Sequence, residues 1–394
     1  MDIVIIADFL GTLDGTYNSR FLYLADMLST NNEVEILTSD FNHEKKKYID
    51  YQIEKHEYFI TMLHEGAYNK NVSIKRFYGH YIWGESVKKY LNKRKKPDVI
   101  YCAVPTLYAS YIAAKYCKKN KVRFIIDIQD LWPEAFQMVF NIPIISNIVF
   151  SPFKYLCNGI YKRADKICAV SDTYCLRALR TNKKVKHTIT VFLGTDLSVF
   201  DKNSKNNRVN KTEKKLWMGY CGSMGDSYDL KTVIDALALL DDPPLFIAMG
   251  DGEKKSKFEQ YAKEKKVDCL FTGKLPYDQM CGWLGRCDMV VNPIVGNSVA
   301  SIINKHADYA ASGLPVLNTQ NSNEYKKLVE EYNMGFNCES ENPKELSEKI
   351  NKLVIDKKLR TTMGENARRC AEERFDRKNT YDDLVKAILS EYMV

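Results

Sequence analysis

No window of the 394-residue sequence reaches about 18 uninterrupted apolar residues, which excludes a membrane-spanning helix. The opening MDIVIIADFL has no basic leader and carries Asp2 and Asp8 inside its apolar run, so it reads as a first strand and not as a signal peptide. None of the 11 cysteines forms a C-x-x-C pair, and the nearest two, Cys281 and Cys287, match no zinc spacing. They read as reduced, mostly buried thiols, and no metal site is expected. A G-x-G-x-x-G fingerprint follows none of the candidate strands, which speaks against a dinucleotide-dependent dehydrogenase. The chain also has no zinc finger, basic helix or basic–aromatic motif, so nucleic acid is not an expected partner.

What is present is ordinary for a globular protein: 45% apolar and 27% charged residues, with 19 Gly and 11 Pro. At roughly 100–200 residues per domain the length suggests two domains. The formal net charge of +8 is unevenly placed. Residues 1–200 hold 28 Lys and Arg against 20 Asp and Glu, whereas residues 201–394 hold 30 of each. Runs such as Lys45-Lys46-Lys47 and Lys93-Arg94-Lys95-Lys96 read either as solvated helix ends and loops or as a face that meets an anionic surface.

Short β-branched runs alternate with helical patterns throughout. Strands are predicted near 3–7, 34–38, 72–77, 99–104, 123–128, 166–170 and 188–193, then near 216–221, 245–249, 269–272, 289–292 and 315–318. Several are apolar on both faces, as in a parallel sheet covered by helices. The fold class is therefore α/β, with a doubly wound parallel sheet in each half. The polar stretch DKNSKNNRVNKTEKK, residues 201–215, is the linker candidate. Domains are expected at 1–200 and 201–375, with a last amphipathic helix over 376–394 carrying Tyr381, Leu384, Ile388 and Tyr392 on one face.

In open parallel sheets, ligands sit beyond the carboxyl ends of strands, where glycines let backbone N–H groups approach. The first strand is followed by Gly11-Thr12-Leu13-Asp14-Gly15-Thr16-Tyr17-Asn18-Ser19-Arg20, which suits an anion or a sugar or is a plain turn. In the second half, Gly222-Ser223-Met224-Gly225, Gly250-Asp251-Gly252 and Gly273 follow three successive strands. Asn304-Lys305-His306-Ala307-Asp308-Tyr309 then precedes Ala310-Ala311-Ser312-Gly313-Leu314-Pro315-Val316. Lys305 and Asp308 lie three apart, on one helix face, where a Lys can meet a diphosphate and a carboxylate a ribose, or the two can form a surface ion pair.

These stretches, together with Asp127-Ile128-Gln129-Asp130-Leu131-Trp132-Pro133-Glu134, Leu193-Gly194-Thr195-Asp196 and Phe271-Thr272-Gly273, make the chain resemble a retaining GT-B glycosyltransferase. It is similar to glycosyltransferase family 4 enzymes of bacterial surface-polysaccharide assembly. The resemblance implies two facing Rossmann-like domains, with the last helix returning to the first. The donor, a nucleotide-diphosphate sugar and most simply a UDP-sugar, is expected on the second domain, and a lipid-linked or oligosaccharide acceptor on the first.

The residue roles implied are catalytic for Asp130 and Lys305, and nucleotide-sugar binding for Gly222, Ser223, Gly250, Gly273, Lys305 and Asp308. Gly15, Asn18 and Arg20 are expected at the acceptor. No metal or other cofactor is implied, because helix N-termini and basic side chains offset the diphosphate charge. Three departures stand out. Ala300 occupies the place of a usual donor-sugar Glu, residues 222–229 hold neither Arg nor Lys, and Gln129 replaces a usual His. They keep two rivals open: a nucleotide-sugar epimerase on the same plan, and a non-catalytic nucleotide-sugar-binding subunit. Residues 136–156, apolar but broken by Pro143 and Pro152, read as domain packing or as a segment that dips into a lipid interface. With the basic first half they imply a cytoplasmic protein on the inner face of the membrane.

Overall fold

The computed structural model describes residues 1–10, 19–50, 55–71, 73–135, 148–211, 215–296 and 301–390. The chain divides into two compact units, Met1–Phe192 with Tyr381–Val394, and Leu193–Thr380.

In the first unit, β1 (Asp2–Ile6), β2 (Glu33–Ser39), β5 (Phe59–Leu63), β6 (Val99–Val104), β7 (Arg123–Ile128), β8 (Lys166–Ala169) and β9 (Ile189–Thr190) form one parallel sheet, in the order β5-β2-β1-β6-β7-β8-β9. A small antiparallel hairpin, β3 (Phe41–Asn42) with β4 (Lys47–Tyr48), projects from the end of β2. The central strands β1 and β6 are apolar on both faces because helices cover both. Ile3, Ile5, Tyr101 and Ile125 pack there with Leu24 and Leu28 of the helix Arg20–Ser29 and with Leu384 and Ile388 of the helix Asp382–Leu389. Arg123 donates to the carbonyl of Ser390, and Lys166 to that of Ala387, which fixes the chain's last helix onto this sheet. The unit therefore recovers residues more than 180 positions away in sequence.

In the second unit, β10 (Trp217–Cys221), β11 (Leu245–Met249), β12 (Cys269–Gly273), β13 (Met289–Asn292), β14 (Val316–Asn318) and β15 (Gly335–Asn337) form a parallel sheet in the order β12-β11-β10-β13-β14-β15. The order reverses between β10 and β13, which makes the carboxyl ends of these strands a topological switch point.

Three expectations are corrected. Of the strand expected near 72–77, residues 73–77 are not a strand: Ser73 accepts from Arg76 N–H and starts the 20-residue helix Ile74–Lys93, and the nearby strand is β5. Residues 201–206 of the expected linker 201–215 are instead the end of the helix Leu197–Asn206. Asp196 caps that helix by accepting from Val199 N–H, and Leu197 and Phe200 are buried. The unit boundaries fall at Phe192/Leu193 and Thr380/Tyr381 instead of 200/201 and 375/376, because Arg377 donates to the carbonyls of Leu193 and Gly194.

Candidate functional site

The glycines that end β10 and β11 are a contact requirement. A methyl at Gly250 would lie 1.8 Å from the carbonyl oxygen of Gly222, and one at Gly252 would lie 2.5 Å from that of Met224. Both obstacles are backbone and cannot turn aside. The two loops lock through Gly222 N–H to the Met249 carbonyl (3.0 Å) and Met224 N–H to the Asp251 carbonyl (2.9 Å). Gly222 sits at φ +141°, open to few other residues, and Ser223 is exposed beside it. Gly273 ends β12 at φ +79° and bridges to Gly250.

Facing this loop is Lys305, in the first turn of the helix Asn304–Ala311. A methyl on Gly222 would approach its Nζ to 2.8 Å. The ammonium is buried, meets no hydrogen-bond acceptor among the described residues, and lies over the rings of Tyr228 (4.1 Å) and Tyr220 (4.5 Å). Burial pushes its pKa down to about 8. An ammonium held by two π faces and no anion retains a strong capacity for one. The alternative the spacing left open, a surface ion pair with Asp308, is not found among the described residues.

Asp308 faces another way. Tyr277 Oη donates to its Oδ1 at 2.9 Å, and Thr195 Oγ1 lies 2.7 Å from the same hydroxyl. Burial raises the carboxyl to about 6, against the pull of Tyr277 and Arg377. His306 is structural: its ring stacks on Tyr325 at 3.5 Å, Ile303 N–H reaches Nδ1, and Nε2 meets the Asn292 amide.

In the first unit, Asp130 lies just past β7. Its Oδ1 accepts from Leu131 N–H (2.8 Å) and its Oδ2 from Trp132 Nε1 (3.1 Å), and burial raises its pKa. Each oxygen thus accepts one bond, and Oδ2 holds Trp132, which stacks on His80. Arg20 requires a correction. Its guanidinium is not an acceptor-facing group but a buried strut that pairs with both oxygens of Asp127 (2.8 and 3.2 Å) and donates to the carbonyls of Val191 and Phe192. Gly15, Asn18 and Ala300 lie outside the described residues. The structure brings Gly222, Gly250, Gly273 and Lys305 to one end of one sheet. Tyr220, Tyr228 and Tyr277 were missed, and no spacing in the sequence marks them.

Residues 201–370, within the second unit, match the family described as "Glycosyl transferases group 1". It is 22% identical over 317 residues to the putative colanic acid biosynthesis glycosyl transferase WcaI of Escherichia coli, covering 75% of each chain. It is 23% identical over 241 residues to the uncharacterized glycosyltransferase MJ1178 of Methanocaldococcus jannaschii, a match that spans 61% of each chain. A crystal structure of Anabaena Alr3699/HepE in complex with UDP superposes with a TM-score of 0.72 at 16% identity, covering 98% of this chain and 99% of that one. That protein has also been crystallised with UDP-glucose. The fold is that of the GT-B class.

Proposed function

We propose that the chain is a glycosyltransferase that moves a sugar from a nucleotide-diphosphate sugar, most simply a UDP-sugar, to an acceptor hydroxyl in polysaccharide assembly. The observation that carries this reading is Lys305: a buried ammonium, without an anionic partner among the described residues, against the glycine loop at the switch point of the second sheet. Support comes from the group 1 domain, the name of WcaI, and the UDP bound by HepE on a like fold.

In the proposed reaction the bond from the anomeric carbon to the diphosphate oxygen breaks and one to the acceptor oxygen forms, with retention at that carbon. The departing diphosphate takes the bonding pair and, on the oxygen released, the proton of the acceptor hydroxyl, so it needs charge stabilisation more than an acid or base from the protein. Lys305 and the Ser223 N–H supply it, without a metal ion in this reading, while the Gly222 N–H stays on the Met249 carbonyl and holds the loop in shape. Asp308 accepts from ribose hydroxyls. Asp130 orients Trp132 on the acceptor side. In this reading the acceptor is lipid-linked and the protein docks at the membrane that carries it, which the excess of positive charge in residues 1–200 supports.

A thermal-shift panel of nucleoside diphosphates and nucleotide sugars tests this. The right nucleotide at about 100 times its dissociation constant adds about 2.7 kcal/mol, and Lys305→Met removes most of that gain. Absence of stabilisation by every nucleotide would overturn the reading. Epimerisation of the nucleotide sugar with no acceptor present would favour the epimerase alternative.

A further inference from the structure

A second polar cluster, remote in sequence from all of these residues, lies at the carboxyl ends of β1, β2 and β5. Asp8 follows β1, Ser39 ends β2, and Glu65 follows β5. Arg76 and His80 stand one turn apart on the helix Ile74–Lys93, and His43 sits in the hairpin β3–β4. Among the described residues no donor reaches either oxygen of Asp8, although the residue is 6% exposed, or Glu65 Oε1, and the two carboxyl groups face each other. The other Glu65 oxygen accepts from Ser39 Oγ at 2.5 Å. A cavity of about 100 Å³ opens here, lined by Asp8, Thr38, Ser39 and His43 and by the rings of Phe9 and Phe41.

The charges narrow what this cavity takes. Burial raises both acids, Glu65 to about 7, and their proximity adds to the rise of Asp8, so the pair keeps a proton near neutrality. Desolvation and Arg76 lower His43 to about 4 and His80 well below its usual range, which leaves both rings neutral. Arg76, held over Trp132 at 4.9 Å and donating to His80 Nε2, supplies one positive charge against the pair's single negative one. Asp8, Glu65 and His80 are close enough to one another to ligate a metal ion. However, a divalent cation would have to displace the shared proton beside a guanidinium. A phosphate would meet two acids. A neutral polyol meets neither penalty: its hydroxyls donate to carboxylate and accept from acid or imidazole, and its C–H faces rest on aromatic rings.

We propose that this cavity binds a hydroxyl-bearing edge of a neutral sugar, with Asp8 accepting one O–H and His43 engaging a second, and that the sugar is part of the acceptor. The assignment rests on the glycosyl-transfer reading for its biological sense, but it is tested separately from it.

The full chain is titrated by calorimetry with free glucose, galactose, mannose and N-acetylglucosamine, and separately with inorganic phosphate, magnesium, zinc and UDP. At least one neutral sugar binds with a dissociation constant of about millimolar order, and Asp8→Asn weakens it about tenfold or more. His43→Ala weakens it in the same way and keeps the test decisive if Asp8→Asn does not fold. UDP binding is unchanged in both variants. Failure of every sugar to bind, equal sugar affinity in wild type and variants, or binding of zinc or phosphate in place of sugar that is lost in Asp8→Asn would each overturn the proposal. Failure of UDP to bind the wild type would instead overturn the transferase reading.

Discussion

The two ionisable groups of the proposed donor site, Lys305 and Asp308, work in opposite directions with pH. Lys305 is held down to about 8, so its ammonium is lost from the folded protein well before it is lost from the unfolded chain. Between about pH 8 and 10.5 the unfolded state binds more protons, and stability rises with pH by about 3 kcal/mol in total. Asp308 is held up to about 6, so between its usual value of 3.8 and about 6 the folded state binds the extra proton, and stability falls as pH rises. Donor binding needs the opposite forms: a charged Lys305 for the diphosphate and a charged Asp308 for the ribose. Affinity for a UDP-sugar, whose diphosphate diester does not titrate in this range, is therefore expected to be bell-shaped, falling below about pH 6 and above about pH 8. Calorimetry across pH checks this. In Lys305→Met the upper limb disappears along with most of the affinity, and an upper limb that survives would show that another group carries it.

At the level of elements, the strands were legible because buried parallel strands are apolar on both faces, as with Val99–Val104 and Arg123–Ile128. The failures have local causes. Val72 to Phe77 looks like a strand only until the side chain of Ser73 starts a helix, and β5 is a partly exposed edge strand whose pattern is too mixed to read. The helix Leu197–Asn206 is mostly polar and is held by its Asp196 cap, two buried side chains and a glycine contact. Gly282 fits so closely against the carbonyl of Asn207 that a methyl would lie 2.0 Å away. The glycine loops and Lys305 were visible as a motif in order along the chain. The tyrosines under Lys305 and the meeting of Asp8 with Glu65 depend on which strand lies beside which, and no local pattern encodes that. Arg20 belongs to the same class, because its partner Asp127 is 107 residues away. Arg20→Met leaves that carboxylate buried without its cation, and a loss of about 3–5 kcal/mol in denaturant unfolding is expected. The helix Asp382–Leu389 should loosen with it, since Arg20 also reaches Tyr381 Oη at 3.3 Å. A loss below about 1 kcal/mol would show that the pair is solvated and not a strut.

For the molecule as a whole, the open matter is where it works. No helix among the described residues is long and apolar enough to cross a membrane, yet all of the net charge of +8 lies in residues 1–200. The first unit concentrates part of it. Lys118 and Lys121 end the helix Leu107–Asn120, Lys162 and Arg163 end Ser151–Arg163, and Lys184 joins them around a cavity of about 530 Å³ whose lining includes a single acid, Asp165. Helix C-termini favour cations, which accounts for the positions but not for five cations around one opening. Residues 136–147 of the apolar segment lie outside the described residues, and of the rest Ile148, Val149 and Tyr155 are exposed. Cations near an anionic surface contribute about 1 kcal/mol each, so three or four hold a protein there reversibly, and exposed apolar side chains add a part that salt does not remove. The full chain is therefore expected to co-sediment with phosphatidylglycerol vesicles at low salt, less at high salt, and hardly at all with phosphatidylcholine vesicles. The combined exchange of Lys118, Lys121, Lys162 and Lys184 for Glu should abolish sedimentation while leaving the melting temperature and UDP binding in place, because all four side chains are exposed and none belongs to the second unit. If the wild type stays in solution with anionic vesicles at low salt, the charge of the first unit is only a solvated surface, and an acceptor free in solution becomes the better reading than one anchored in lipid.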